Sequence, residues 1–141
     1  MLFALCSSAE AQQAATPPRI GYLTNESLSA TSARGEAFRQ GLRELGYVEG
    51  KNLVIEWRSA EGKLDRVPAL AAELVRLKVD VIVTIGSSVS RSAKEATSTI
   101  PIVMAQVNDP VGDGLVASLG AARRKHYRVV YPRAGAKRKT A

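Results

Sequence analysis

The chain has 141 residues, 45% hydrophobic and 23% charged, enough to bury one core, and no apolar run approaches the ~20 residues that a membrane-crossing helix needs. Its formal charge of +7 would suggest nucleic acid or an anionic surface if it covered a face, but eight of the twenty basic residues and none of the thirteen acidic ones follow Gly120, which leaves a near-neutral body of twelve basic against thirteen acidic residues. The single cysteine, Cys6, excludes an intramolecular disulfide.

The opening "MLFALCSSAEAQQAATPP" has a short apolar piece, Leu2 to Leu5, and then Ala9-Glu10-Ala11, the small-x-small pattern of a secretory cleavage site before Gln12. The basic start of such a leader is missing. Residues 1–11 are therefore expected to be the end of a signal peptide that begins upstream of Met1, and 12–18 a linker. Bulky Leu5 before Cys6 argues against lipid attachment there.

From Arg19 two periodicities alternate. "RIGYLT" reads as a strand, and "SARGEAFRQGLRELGY" as a helix with Phe38, Leu42 and Leu45 on one face, closed by a left-handed Gly46. "NLVIEWRSA" is a second strand. "KLDRVPALAAELVRLK" places Leu64, Val67, Leu70, Ala71, Leu74 and Leu77 on one helical face, with Asp65 as N-cap and Pro68 in the first turn. "VDVIVTIG" is the near-continuous Val/Ile run of a strand covered on both faces. "SSVSRSAKEATS" is a third helix and "IPIVMAQ" a fourth strand, after which "DPVGDGLVASL" is expected to begin a fourth helix. This alternation predicts an α/β fold, a doubly wound parallel sheet forming one Rossmann-like lobe, with right-handed crossovers and an irregular C-terminal tail.

In such a sheet ligands bind beyond the carboxyl ends of the strands, where helix N-termini converge. Three segments meet there: "TNESLSA", "GSSVS" and "QVNDPVG". Gly86 permits a tight turn, and the hydroxyls of Ser87 and Ser88 join free helix amides that favour a carboxylate or phosphate. Asn108 and Asp109 offer an amide and a carboxylate, and Asn25 a further amide. Each also has a plainer role: Ser87 or Ser88 as a cap of its own helix, Asp109 as cap of the helix that Pro110 starts, Asn25 and Glu26 as ordinary loop residues. The body has no histidine, no GxSxG, no phosphate-binding glycine loop and no Cys/His metal spacing, so neither an enzyme, a cofactor nor a metal is expected.

Several stretches, "FRQGLRELGYVEGKNLVIEWRSAEG", "LAAELVRLKVDVIVTIGS" and "TIPIVMAQVNDPVGDGLVASL" among them, resemble the N-terminal half of ABC transporter substrate-binding proteins, the group with tryptophan- and tyrosine-binding members. The resemblance covers residues 19–119 and implies a type I periplasmic binding protein fold. It also implies a non-enzymatic clamp in the periplasm that closes two lobes on a small solute and delivers it to an ABC permease. Asn25, Ser87, Ser88, Asn108 and Asp109 would be the first lobe's ligand-binding residues, and no contact with nucleic acid is implied.

After Leu119 the pattern breaks. The family continues with a segment resembling "ARPGGNITGLSTLAPELSGKRLE", whereas this chain has the basic tail 120–141. With a permissible choice of codons, Lys125 to Ala141 read in a shifted frame translate as "NITGLSTLAPELSGKRL". One inserted base near the codon for Gly120 thus accounts for the tail, which is then expected to be out of frame and disordered, and the binding function truncated and impaired. Two other readings stand beside this one. In the first the tail binds nucleic acid or an anionic surface through its cations and Tyr127 and Tyr131. In the second a small α/β enzyme holds a phosphorylated substrate at Gly86 to Ser88.

Overall fold

The structure is a computed structural model and describes residues 16–116 and 127–130. The expected signal peptide and most of the basic tail lie outside these residues. Five parallel strands form one sheet in the order β2-β1-β3-β4-β5, with β1 at Arg19–Thr24, β2 at Val54–Ser59, β3 at Val81–Ile85, β4 at Ile102–Ala105 and β5 at Tyr127–Val130. Among the described residues three α-helices connect the first four strands: α1 (Ser32–Glu44), α2 (Val67–Arg76) and α3 (Ser87–Ala96). None among the described residues is long and apolar enough to cross a membrane.

Strand direction and chain chirality decide which face each helix covers. The β1 to β2 crossover moves one way along the sheet and those to β3 and β4 the other, so right-handedness puts α1 on one face and α2 with α3 on the opposite one. Side chains sort accordingly. Leu23, Ile82 and Met104 pack with Val67, Ala71, Leu74, Val89 and Ala93, and Tyr22, Ile55, Val83 and Ile85 pack with Phe38, Leu42 and Trp57. Gly21 of β1 pairs with Glu56 on one side and Ile82 on the other. A Cβ there would lie 2.9 Å from Leu74 Cδ1, so the bare backbone of Gly21 is what lets α2 seat directly on the sheet.

Four expectations are corrected. No helix starts in the described part of "DPVGDGLVASL": residues 110–114 form turns. Asp109 Oδ1 accepts from Gly112 N at 2.8 Å, the amides of Leu115 and Val116 fold back onto Pro110 O, and Gly112 and Gly114 have poor helix propensity. Asp65 is not an N-cap, because Leu64–Arg66 form a 3-10 turn ahead of α2, whose first turn does hold Pro68. Leu64 and Leu45 are 51% and 75% exposed; each lies just outside its helix, where the expected face no longer continues. Finally, the tail is not irregular throughout, since Tyr127–Val130 pairs in parallel with β4 from Ile102↔Tyr127 to Ala105↔Val130. An open edge offers unpaired backbone groups, and a run of Tyr, Val and Val suits a strand.

Candidate functional site

The tightest turn of the sheet lies between β3 and α3. Gly86 alone separates Ile85 from Ser87, at φ 90° and ψ 160°, a conformation essentially confined to glycine. Its N–H donates to Ala105 O at 3.0 Å, which ties the turn to β4. Ser90 locks it from the helix side, with its Oγ 2.7 Å from Gly86 O and 2.7 Å from Thr84 Oγ1. No side chain caps α3. The amides of Ser87, Ser88 and Val89 consequently meet no acceptor among the described residues, and the positive end of the helix dipole is left open at the mouth of the sheet.

A cavity of about 270 Å³ lies over this terminus, walled by Thr24, Asn25, Ser87, Ser88 and Gln106 among others. The fold therefore brings Asn25, Ser87 and Ser88 together, as the sheet geometry led one to expect. Asn25 has its backbone carbonyl engaged by Gly62 N at 2.7 Å. Its side-chain Oδ1 is shielded from solvent and has no hydrogen-bond partner among the described residues.

Asn108 and Asp109 are not part of this wall. Both are exposed, and Asp109 spends its carboxylate on the turn it opens. The acidic group that reaches the serines is Asp113, whose Oδ2 accepts from Ser87 Oγ at 2.5 Å. Arg91 and Lys94 of α3 hold the same turn by donating to the carbonyls of Asp113 and Leu115 at 2.9 Å each. Ser87 thus anchors the loop after β4 instead of capping its own helix.

Next to this cavity is a second one of about 290 Å³, lined by Tyr22, Arg34, Phe38, Val83 and Ala105 and sharing Ile85 and Gln106 with the first. Its walls are mostly apolar. Tyr22 is 1% exposed, and its ring stacks in a tilted cluster with Phe38 and Trp57 at 5.4 and 4.6 Å between centroids. Its hydroxyl has no partner among the described residues. Burial pushes the Tyr22 phenol above its ordinary value, with Arg34 opposing and Glu26 reinforcing the shift. Arg34 and Glu26 are themselves paired at 2.6 Å. Sequence reasoning singled out neither Tyr22 nor Gln106. Gln106 closes β4 with a left-handed backbone, φ 55°, unusual for a residue with a side chain. Only its place at the carboxyl end of a strand hinted at it.

The loops at the carboxyl ends of the strands therefore form a mouth that is polar on one side and apolar on the other, and known proteins share its framework. The chain is similar over 84 residues, at 36% identity, to the tyrosine-binding protein of Clostridioides difficile, covering 60% of this chain and 24% of that one. A conserved domain protein from Vibrio cholerae superposes with a TM-score of 0.74 at 31% identity, over 81% of this chain and 38% of its own. An ABC domain from Streptococcus pneumonia, solved in complex with L-Trp, gives 0.72 at 26% identity, over 82% and 39%. The chain thus spans well under half the length of these relatives. The family model for ABC transporter substrate binding protein matches residues 24–124, which take in most of the described fold and, Tyr22 apart, the walls of both cavities, and the chain belongs to that family.

Proposed function

We propose that this chain supplies the first lobe's share of an amino-acid site in the solute-binding component of an ABC importer, acting by binding and not by catalysis. The observation that carries the reading is the open α3 terminus beside the unpartnered Asn25 Oδ1. Three free amides and a positive dipole end suit the solute's carboxylate, and an acceptor oxygen suits its ammonium. Two relatives support the solute class, one being named for tyrosine and the other holding L-Trp. Asn25, Ser87 and Ser88 are the residues proposed to contact the head group. Asp109 acts, on this reading, by shaping the loop that Asp113 fastens to Ser87, and Asn108 is exposed on that loop.

Binding proteins of this kind gain affinity by closing two lobes, so that contacts from the second exist only in the closed state. A chain with one lobe's contacts binds weakly and does not sustain transport. Calorimetric titration of the 141-residue protein with L-tyrosine and L-tryptophan is expected to give dissociation constants far weaker than about 1 µM, the value that corresponds to about 8 kcal/mol. Micromolar or tighter binding contradicts the half-site. We read the tail beyond Leu119 as the out-of-frame continuation of the same gene and place the protein outside the cytoplasmic membrane. Genomic sequence around codon 120 and upstream of Met1 tests both, and an uninterrupted frame with no second-lobe coding beyond the stop overturns the first.

A further inference from the structure

The two cavities share a wall at Ile85 and Gln106, and each holds a polar atom that has no partner among the described residues. At the polar end it is Asn25 Oδ1; at the apolar end it is Tyr22 Oη. The second is the more telling. Tyr22 is 1% exposed, and a buried hydroxyl left unpaired costs about 1–3 kcal/mol. Packing alone would favour phenylalanine at this position, since the ring contacts with Phe38 and Trp57 need no oxygen. Arg34 and Glu26 lie close enough to influence the phenol's ionisation, yet they bond to each other at 2.6 Å and neither bonds to it. Gln106, held at φ 55°, stands where the two cavities meet. Left-handed backbone in a residue with a side chain is a recurrent mark of binding sites.

We propose that Tyr22 is a specificity-determining residue. With the solute's head group at Gly86 to Ser88, its aromatic side chain passes Gln106 into the apolar cavity, where the Tyr22 hydroxyl pairs with a polar group on the far side of the ring. A phenolic hydroxyl or an indole N–H meets that requirement, because a tyrosine hydroxyl both donates and accepts. An unsubstituted phenyl ring does not, and it leaves Tyr22 Oη buried and unpaired in the complex. Sites built to bond a substrate's hydroxyl reject the analogue that lacks it for this reason. The inference rests on the amino-acid reading given above and adds the residue that selects the side chain.

The test is titration of the 141-residue chain with L-tyrosine, L-tryptophan and L-phenylalanine, followed by NMR shift changes so that weak binding is measurable, and repeated on Tyr22→Phe. The unaltered chain is expected to bind L-tyrosine and L-tryptophan about tenfold or more tightly than L-phenylalanine, a conservative share of the discrimination seen where such a bond is made. In Tyr22→Phe the preference is expected to vanish, while the solute-free protein melts no lower than the parent because an unpaired hydroxyl has been removed. Equal affinity for tyrosine and phenylalanine in the unaltered chain, which needs no variant, overturns the inference alone. So does a preference that survives in Tyr22→Phe. If a folded chain binds none of the three amino acids, the amino-acid reading falls and this inference with it.

Discussion

Two glycine-to-alanine changes, at Gly86 and at Gly41, make the same chemical alteration and are expected to move stability in opposite directions. An added Cβ at either position meets no atom within 4 Å, so neither effect is a clash. At Gly86 the backbone sits at φ 90° and ψ 160°, a region that costs a residue with a side chain about 1–3 kcal/mol. Gly41 lies in the exposed interior of α1 with an ordinary helical backbone, where alanine is favoured by about 0.5–1 kcal/mol through lost freedom in the unfolded chain. At about 4 °C per kcal/mol for a chain of this size, Gly86→Ala should lower the melting temperature by about 4–12 °C and Gly41→Ala raise it by about 2–4 °C. Urea titration should show the same order in the midpoints at a constant slope. A midpoint for Gly86→Ala at or above that of the parent would refute the argument that glycine is required by the β3–α3 turn, and with it the geometry that opens the α3 amides.

Leu74→Ala removes the side chain that fills the gap over Gly21 and is fully buried; it should cost about 2–5 kcal/mol by denaturant unfolding. Asp113→Ala releases Ser87 Oγ and should lower stability by about 1.5–3 kcal/mol, as for a bond to a charged group, with faster amide exchange in residues 110–116. Glu49 accepts from Arg39 Nε at 2.6 Å and Trp57 Nε1 at 2.9 Å; burial pushes its carboxyl up, but these bonds and the Arg39 charge hold it below the usual 4.5. A depressed folded value stabilises above the unfolded one and is lost as pH falls from there through the folded value. The stability gap between the parent and Glu49→Gln should therefore be full at neutral pH and narrow progressively as pH falls below the ordinary carboxylate value. Removal of residues 127–141 strips β5 from the edge of β4 and should raise light scattering on concentration, because an open strand edge recruits other chains.

The first four strands and three helices were legible in the sequence because each carries its own signal over a short window. β3 reads as Val-Ile-Val because both of its faces are covered, and α2 because Val67, Ala71 and Leu74 return at helical spacing. The left-handed Gly46 and the glycine turn before Ser87 are likewise local facts. The gathering of Asn25, Ser87 and Ser88 followed from a rule about parallel sheets, since strand direction alone sends all three loops to one edge. Local signals failed where two structures share one signature. Asp109-Pro110 marks a helix start and also an Asx turn, and the glycines at 112 and 114, together with the grip of Arg91 and Lys94, settled it for the turn.

Only the tertiary structure decided the rest. The residues of "YRVV" suit a strand, but they become one only because the edge of β4 lies beside them, since β pairing takes its energy from a partner distant in sequence. Nor does "RIGYLT" reveal that one tyrosine hydroxyl is stranded: a hydroxyl's satisfaction depends on what α1, β3 and β4 place around it. The sequence determined which segments become strands and helices and to which edge their loops point. Which polar atoms remain without a partner at that edge, and hence what kind of solute the mouth suits, was set by packing between elements far apart in the chain.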